Sequence, residues 1–388
     1  MSRPLDGLLV VSLEQAIAAP YCTRQLADLG ARVIKVERPD GGDFARSYDA
    51  RARRLASHFV WTNRSKESLA LDLKRPESVD IVKRLIARAD VFVQNLAPGA
   101  ADRLGLESET LRSGNGRLIT CAISGYGKGG PWTDRKAYDL LIQAEAGFLS
   151  VTGTPDGVAK AGISVADIAA GTMAFQAILA ALIQRGRTGE GDHIEVSMLE
   201  AMAEWMGYPM YYTLDGASPP PRAGAGHATI FPYGPYRTAD GTVLFGLQND
   251  REWTAFARLV LGRPDLAEDA RFKGNAGRAS HREAVQAAID ACLSEISTAE
   301  VVARLEQAGI ANARVNDMAA LWAHPQLAAR GRWSEVGTPA GPVPALKPLT
   351  AESWDARLDP VPELGEHNAK ILAELGIADA LQGKAVEG

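Results

Sequence analysis

The chain is poor in cysteine, histidine and aromatic residues. Its 388 residues include three cysteines, six histidines and 6% Phe, Trp and Tyr. Cys22, Cys121 and Cys292 are widely spaced and odd in number, so they fit neither a disulfide framework nor the ligand spacing of a zinc site. We therefore expect reduced thiols, no bound metal and a cytoplasmic location.

The sequence also lacks an excess of positive charge. Lys and Arg number 42 against 47 Asp and Glu, which gives a formal net charge of −5. Proteins that bind nucleic acid or an anionic membrane surface typically carry a basic patch or stripe, so we expect neither partner. No long apolar stretch follows Arg3 near the N-terminus, and we expect no secretory signal there.

One apolar stretch, residues 163–183, approaches the length of a membrane span. Asp167, Thr172 and Gln176 interrupt it, whereas a span needs about 20 predominantly apolar residues. A buried helix that ends at Gly186 explains the stretch better.

What the chain does contain is a regular alternation of short apolar runs and helical segments. Apolar runs at 8–11 and 33–36 flank a helix predicted over 18–29, which makes a βαβ unit with parallel strands. The pattern continues with a helix from Pro76 and strands at 91–93 and 118–123. It predicts an α/β protein with a Rossmann-like parallel-sheet large domain and a smaller α+β domain.

A Pro- and Gly-rich stretch separates the two predicted domains. The large domain covers residues 1–217, the linker 218–235 and the small domain 236–324, in which residues 239–241 indicate a hairpin turn. Residues 325–388 are Pro-rich and then helical, and we expect them to return to the large domain.

A dinucleotide site is the first function that such a domain brings to mind. Glu37 ends the second strand, where a ribose-binding acid would lie. The turn at residues 14–20 has no glycine, however, and no GxGxxG or GxxxxGK[ST] motif occurs at a strand-to-helix junction. The sequence therefore argues against a nicotinamide enzyme.

Several cations near the first strands have two open interpretations. A phosphate-bearing ligand would use Arg as a bidentate fork and Lys as a point charge. Alternatively, these side chains form a solvated basic rim. They are Lys35, Arg38, Arg64, Lys66, Lys74 and Arg75.

Asp167 stands among small and apolar residues at the start of a predicted helix. Asp is a preferred N-cap residue, so a cap is one explanation of its position. The other is a nucleophilic carboxylate, which is ionised at neutral pH and needs no general base. Gly125 and Gly127 follow a strand, where they form either a flexible turn or an approach of backbone N–H groups to a substrate oxyanion.

A series of short motifs runs along the chain in one order. They are PLDG (4–7), LGARVIKVE (29–37), NRSK (63–66), LDLK (71–74), NLAPG (95–99), DRLG (102–105), SGYG (124–127), AYD (137–139), RTGEG (187–191), VND (315–317), HP (324–325) and LGEH (364–367). No single motif is specific, but the ordered set resembles the family III CoA-transferases along essentially the whole chain.

The resemblance implies an interlocked homodimer, coenzyme A bound as acyl-CoA substrate, and Asp167 as the nucleophile. In the family scheme this carboxylate attacks the donor thioester and forms an acyl-aspartyl anhydride, then an aspartyl-CoA thioester, and the acceptor acid reverses the sequence. CoA contacts carried over by position are Arg38, Leu71, Lys74, Asn95, Leu96, Arg103, Lys136 and Tyr138.

The substrates are expected from the same resemblance. Residues 14–20 and 42–46 look like family members that act on short dicarboxylates, which implies succinyl-CoA as donor and a dicarboxylate such as itaconate as acceptor. The predicted substrate residues are Arg46, Gly127 and His227.

Two other functions stay open: a 2-methylacyl-CoA racemase or epimerase of the same fold, and a non-catalytic acyl-CoA binding protein. The racemases have a histidine where this chain has Tyr138. Tyrosine, with a reference pKa of about 10, is a poor partner for proton exchange, which favours the transferase.

Overall fold

The computed structural model describes residues 2–350 and 352–377. The strands in this part of the chain are β1 (Leu9–Leu13), β2 (Arg32–Glu37), β3 (Lys66–Ala70), β4 (Val91–Gln94), β5 (Ile119–Ser124), β6 (Gly153–Thr154), β7 (Gly157–Val158), β8 (His193–Ser197), β9 (Tyr233–Arg237), β10 (Thr242–Gly246), β11 (Asn312–Arg314), β12 (Trp333–Val336) and β13 (Val343–Leu346).

Helices connect most of these strands. The α-helices are α1 (Ala18–Asp28), α2 (Ser57–Asn63), α3 (Pro76–Ile86), α4 (Ala100–Arg103), α5 (Ser108–Gly114), α6 (Asp139–Glu145), α7 (Phe148–Val151), α8 (Val165–Thr188), α9 (Met198–Trp205), α10 (Gly207–Tyr212), α11 (Asp250–Ala255), α12 (Pro264–Glu268), α13 (Gly274–Ser280), α14 (Arg282–Leu293), α15 (Thr298–Gln307), α16 (Met318–Trp322), α17 (Pro325–Ala329) and α18 (Asn368–Glu374). Short 3₁₀ helices lie at Phe44–Ser47, Leu214–Gly216 and Ala270–Phe272, and a π-helical turn at Phe256–Val260.

Six parallel strands form one sheet in the order β3-β2-β1-β4-β5-β8. The predicted strands at 8–11, 33–36, 91–93 and 118–123 correspond to β1, β2, β4 and β5, which confirms the α/β class. After β3 the chain crosses to the other side of β1. In open α/β sheets ligands bind outside the carboxyl ends of the strands at such a switch point, which here lies between β1 and β4.

The edge strand β3 is covered by the C-terminal part of the chain. His367 Nδ1 accepts from the N–H of Ser68, and the His367 N–H donates to the Ser68 carbonyl. The side-chain amide of Asn368 pairs in the same way with both backbone groups of Ala70. These contacts satisfy polar groups that a sheet edge would otherwise leave unpaired.

The described residues divide into two compact units. The first contains those within 1–146, 161–207 and 327–388, and the second those within 147–160 and 208–326. Relative to the predicted division, the second unit also contains residues 147–160 and 208–217, the predicted linker 218–235, and residues 325–326 of the predicted return segment. Residues 378–388 of the predicted return segment lie outside the described residues.

The second unit has its own apolar core. Its antiparallel sheet has the order β11-β10-β9, and the predicted turn at 239–241 joins β9 to β10, which confirms that hairpin. Val243, Phe245, Phe256 and Val285 are fully buried between this sheet and the helices that follow it.

Helix α8 crosses the first unit and packs against α1, α6, α9 and the sheet. Among the described residues it is the one helix long and apolar enough to cross a membrane by length and composition. The predicted helix end at Gly186 is wrong. The helix continues to Thr188 and ends at Gly189, whose φ of 81° is the left-handed conformation that glycine adopts at helix ends.

Candidate active site

Two loops meet at the switch point of the parallel sheet. The N–H of Gln15, just after β1, donates to Asn95 Oδ1 over 2.9 Å, and Asn95 Nδ2 donates to the Gln15 carbonyl over 2.9 Å. Asn95 directly follows β4, so this pair ties together the two chain segments that border the crevice. Asn95 is also a predicted CoA contact, and its side-chain amide is already hydrogen-bonded to the loop that follows β1.

The acid at the end of β2 is not available to a ribose. Arg46 Nε and its terminal nitrogen bind both oxygens of Glu37 at 2.8 and 2.7 Å, and Ser68 Oγ and the Asp43 N–H also donate to this carboxylate. Burial opposes ionisation of Glu37, but Arg46 and Lys35 outweigh it and lower the pKa to about 2. The contacts of Glu37 therefore agree with the absence of a nicotinamide-binding motif in the sequence.

The same contacts bear on Arg46 as a predicted substrate residue. Its guanidinium also donates to the Pro362 carbonyl and lies 3.8 Å from the ring centroid of Phe59. With one face of the guanidinium on Phe59 and its nitrogens bonded to Glu37 and Pro362, these contacts favour a structural role over capture of a substrate carboxylate.

Three of the six cations discussed from sequence are buried and paired with acids. Lys35 Nζ lies 2.5 Å from Asp43 and 3.5 Å from Glu14, and Lys66 Nζ lies 2.6 Å from Glu14. Arg64 binds Asp28 through two nitrogens, each at 2.8 Å. For these three, both the phosphate-ligand and the solvated-rim interpretations are wrong. Arg38, Lys74 and Arg75 are exposed.

Asp43 uses its contacts to shape the turn after β1. Its Oδ1 accepts from the N–H of Ala16 at 2.8 Å and of Ala45 at 2.9 Å, while Oδ2 binds Lys35. Ala16 has a φ of 61°, a conformation that costs a non-glycine residue of order 1 kcal/mol. The buried charges therefore hold a strained turn beside the switch point.

Asp167 is the third residue of α8 and does not cap it. The N-cap position is Ser164, whose side chain makes no cap hydrogen bond. The N–H groups of Ala166 and Asp167 donate instead to Asp139 Oδ1, at 2.8 and 3.4 Å. The N-cap interpretation of Asp167 is therefore wrong, because Asp139 supplies the cap from another helix.

The Asp167 carboxylate is half-buried, and within the described residues no donor or cation contacts it. Burial, with the nearby negative charge of Asp139, raises its pKa to about 7. The side chain of Tyr48 lies within the field of this carboxylate: burial and the charges of Asp43 and Asp167 raise the Tyr48 pKa. An unpaired carboxylate with a raised pKa is the kind of group found at catalytic sites.

Helix α8 approaches α1 closely one turn beyond Asp167. A Cβ atom on Gly171 would lie 2.5 Å from the Ala18 carbonyl oxygen and 3.2 Å from Tyr21. Residues i and i+4 share a helix face, so Asp167 projects from the face that meets the start of α1. Glycine at this position lets the helix that carries Asp167 rest against the start of α1, next to the switch point.

The predicted CoA residues follow the carboxyl ends of several parallel strands. Arg38 follows β2, Leu71 and Lys74 follow β3, and Leu96 and Arg103 follow β4. Because these strands are parallel, their carboxyl ends share one edge of the sheet. Leu71 is buried in the apolar core, Leu96 packs against it, and the cations Arg38, Lys74 and Arg103 are exposed.

The remaining predicted residues lie after β5 or in the second unit. Lys136 and Tyr138 are exposed just before α6, with Tyr138 71% exposed. Gly127 has a φ of 80°, and its N–H donates to Ser124 Oγ, which favours a turn over an oxyanion donor. His227 belongs to the second unit, where its Nδ1 accepts from the N–H of Thr229 and Ile230.

Sequence reasoning missed Asp139, Tyr48 and the cluster of buried charges. Asp139 lies in the AYD motif, but its cap contact joins residues 27 and 28 positions apart, which no local pattern indicates. Across the described residues, no group of three or more His, Cys, Asp or Glu side chains is arranged to hold a metal ion.

Relatives of known activity match along nearly the whole chain. The model of CoA-transferase family III matches residues 5–368. The succinate–glutarate CoA-transferase of Agrobacterium fabrum is 36% identical over 383 residues, covering 96% of each chain. The succinyl-CoA:mesaconate CoA-transferase of Haloarcula marismortui is 34% identical, also covering 96% of each chain.

A solved structure has the same fold. The crystal structure of a CAIB/BAIF family protein from Brucella suis superimposes with a TM-score of 0.85 at 37% identity, covering 97% of this chain and 100% of the other. Fold, site and relatives together define an enzyme that transfers coenzyme A. The chain belongs to CoA-transferase family III, which confirms the predicted enzyme class and coenzyme A as its substrate group.

Proposed function

We propose that the enzyme moves CoA from succinyl-CoA to a five-carbon dicarboxylate, with Asp167 as the covalent nucleophile. The observation that carries the proposal is the carboxylate at the start of α8, half-buried and free of cations and donors among the described residues. A carboxylate that forms no ion pair keeps its lone pairs for attack on a thioester carbonyl.

The proposed reaction needs no separate acid or base, because each attacking and leaving group is an anion. An Asp167 oxygen bonds to the thioester carbon, the C–S bond breaks, and CoA leaves as the thiolate. The thiolate attacks the aspartyl carbonyl of the anhydride, which releases succinate and leaves an Asp167-CoA thioester. The acceptor carboxylate then attacks this thioester, and the freed thiolate takes the acceptor's acyl group and regenerates Asp167.

Both covalent intermediates hydrolyse in water, so the site must limit solvent access. The half-buried position of Asp167 supports this, as does the close contact of Gly171 with Ala18 beneath it. We place the CoA moiety along the carboxyl edge of the sheet, with its phosphates near the exposed cations Arg38, Lys74, Arg103 and Lys136.

The acceptor class rests on the relatives. The names of two of them include glutarate and mesaconate as acids. Itaconate, implied by the resemblance of residues 14–20 and 42–46 to certain family members, has the same five carbons. We therefore propose acceptors with two carboxylates on a five-carbon skeleton. Arg46 and Gly127 are held by contacts of the fold. The ring of His227 is also hydrogen-bonded, but among the described residues only through Nδ1, so His227 is the predicted substrate residue that we test.

We further propose that two copies form the interlocked homodimer typical of the family. Large apolar side chains are exposed around α10, including Tyr208, Met210, Tyr211 and Leu214. Exposed apolar patches of this kind mark interaction surfaces. Sedimentation analysis should give twice the mass of the chain, and a monomer at assay concentration would contradict this part of the proposal.

Incubation with succinyl-CoA and single acids, followed by chromatography of the acyl-CoA products, tests the function. We expect glutarate, mesaconate or itaconate to accept CoA better than four-carbon or six-carbon dicarboxylates and than monocarboxylates. Asp167→Asn should lower turnover by at least about 10³-fold, because loss of a nucleophile removes the covalent route. His227→Leu should weaken discrimination against monocarboxylates, and unchanged discrimination would remove His227 from the proposal.

Asp192→Asn is the matched control, because this exposed aspartate precedes β8 at the opposite edge of the sheet. It should retain wild-type transfer. Full transfer by Asp167→Asn would disprove the covalent route. Exchange of the α-proton of a 2-methylacyl-CoA with solvent, without transfer to any acid, would assign the chain to the racemase chemistry instead.

A further inference from the structure

The first turn of α8 obtains its hydrogen bonds from a neighbouring helix. The first N–H groups of any α-helix have no partner within the helix. In α8 the N-cap residue Ser164 provides none through its side chain. Asp139, the first residue of α6, accepts from the N–H of Ala166 and, at longer distance, from that of Asp167.

Asp139 is itself held in one orientation. Its Oδ2 accepts from Gln143 Nε2 over 2.7 Å, and Gln143 is fully buried. Gln143 Oε1 in turn accepts from the N–H of Ala161 over 2.9 Å. Both oxygens of Asp139 are therefore engaged, and the chain of contacts joins α6 to the segment that leads into α8.

We propose that Asp139 is a positioning residue for the transfer reaction: its carboxylate holds the first turn of α8 and keeps a like charge beside the Asp167 nucleophile. This inference rests on the proposed role of Asp167. It goes beyond that role because it assigns the orientation and the ionisation of the nucleophile to a specific second carboxylate.

Asp139 acts on the nucleophile in two ways. The free N–H groups and the dipole of a helix N-terminus normally stabilise a nearby anion. Asp139 occupies the N–H groups of Ala166 and Asp167, so they are not available to the Asp167 carboxylate. Its own negative charge then adds to the effect of burial on Asp167.

The consequence for catalysis is a more basic nucleophile. Reactivity toward a carbonyl rises with basicity, whereas only the ionised fraction reacts, so the favourable pKa lies near the working pH. With a pKa of about 7 for Asp167, kcat/KM should rise with pH through neutrality and level off above about pH 8.

The other titratable groups near this end of α8 do not replace Asp139. Tyr138 precedes α6, Tyr48 follows the 3₁₀ helix Phe44–Ser47, and Tyr21 of α1 contacts the helix at Gly171. All three side chains are phenols, and none of them is a carboxylate. Of the charged side chains in the described part of the first unit, Asp139 is the one that acts on Asp167.

The test compares pH profiles of variants in the full-length enzyme. Asp139→Asn keeps one oxygen to accept from Ala166 and removes the charge. We expect the ascending limb of kcat/KM to move from about pH 7 to about pH 6 or below, with a lower plateau at pH 8.5. Asp139→Glu restores the charge and should return the limb toward pH 7. Ser164→Ala should change nothing, because that hydroxyl makes no cap bond.

A second readout does not depend on turnover. Titration of the ¹³C-labelled Asp167 carboxyl group by NMR should give a lower midpoint in Asp139→Asn than in the wild type. If Asp139 were merely a structural cap, Asp139→Asn would lower the melting temperature while both midpoints stayed in place, and the proposal would be overturned. A wild-type enzyme without transfer activity would refute the proposed function, and the NMR midpoints would still decide the influence of Asp139.

Discussion

Two groups of buried or half-buried carboxylates in the first unit behave in opposite ways. In the paired cluster, which comprises Glu14, Lys35, Glu37, Asp43, Arg46 and Lys66, every acid contacts a cation. In the Asp167–Asp139 pair, one acid faces another. Burial alone would raise the pKa of each carboxylate, yet that of Glu37 falls to about 2 and that of Asp167 rises to about 7.

The charges next to each carboxylate, and not how deeply it is buried, therefore decide whether its pKa is lowered or raised. In the paired cluster, Lys66 and Lys35 outweigh the burial of Glu14 and hold its pKa below the ordinary value. These fully paired groups shape the turn at Ala16, and their contacts with each other leave them unavailable for reaction. Among the described residues no cation neutralises Asp167, and this is the property that its proposed role as a nucleophile needs.

The largest effect is expected from breaking the paired cluster. Lys35→Met leaves Asp43 and Glu14 buried without the cation that contacts them both. Removing one partner of a buried ion pair costs about 3–5 kcal/mol of unfolding free energy. Urea unfolding at pH 7 measures the loss, and a change below about 1 kcal/mol would show that water reaches the cluster.

Arg258→Met is the matched control for that experiment. Its pair with Glu268 has a similar distance of 2.7 Å, but both side chains are exposed. Pairs of this kind contribute about 0–1 kcal/mol, so the control separates burial from charge.

The next effect concerns α8, the helix that carries the proposed nucleophile Asp167. Gly171→Ala would place a methyl group 2.5 Å from the Ala18 carbonyl oxygen, so α8 must shift away from α1. We expect a loss of about 1–3 kcal/mol in stability and a fall in kcat of about tenfold or more, because Asp167 moves with its helix.

Gly186→Ala tests the same substitution in the same helix. In the described part of the chain, no atom beyond the neighbouring backbone of α8 lies within 4 Å of a Cβ at Gly186. Alanine is also a better helix former than glycine by up to about 1 kcal/mol. We therefore expect a small stabilisation with unchanged kcat. If the two variants behaved alike, the close contact at Gly171 would have no part in placing Asp167.

The paired cluster and the Asp167–Asp139 pair also mark where sequence reasoning succeeds and fails. Strands β1, β2, β4 and β5 are predictable because each contains a short run of apolar residues, which indicates a buried strand without knowledge of distant contacts. Strand β3 was not predicted, because Lys66, Glu67 and Ser68 give it a polar sequence. Lys66 becomes a buried strand residue through Glu14, which lies 52 positions away.

The candidate site also combines a feature that the local sequence predicts with features that depend on distant residues. Asp167 is identifiable because a lone acid among apolar residues is unusual, and the ordered motifs give it a role. The pKa of Asp167 is raised by its burial and then by the charge of Asp139, which lies in another helix and caps α8. Lys35 and Lys66 take their roles from acids elsewhere in the chain. Contacts between distant segments leave no local pattern, so these properties required the structure.

The smallest expected effect is a rise in the free energy of unfolding for Asp167→Asn, whereas Lys35→Met lowers that free energy. Because Asp167 has a raised pKa, the folded state binds more protons than the unfolded state between the ordinary pKa of 3.8 and about 7. Wild-type stability therefore falls as pH rises through this range and levels off above it. Asp167→Asn removes this dependence and should stabilise the protein at pH 8 by about 1–2 kcal/mol, less than the full shift implies because the carboxylate is partly solvated.

The advantage of Asp167→Asn should shrink steadily as the pH is lowered from 8 to 5, since the wild-type carboxylate becomes protonated in the folded state. Urea unfolding of both proteins at each pH measures the difference, with Asp192→Asn as an exposed control that should show no such trend. A constant difference across the pH range would mean that Asp167 is not held against its ionisation. In that case the contrast between paired and unpaired carboxylates would not explain why this residue is the reactive one.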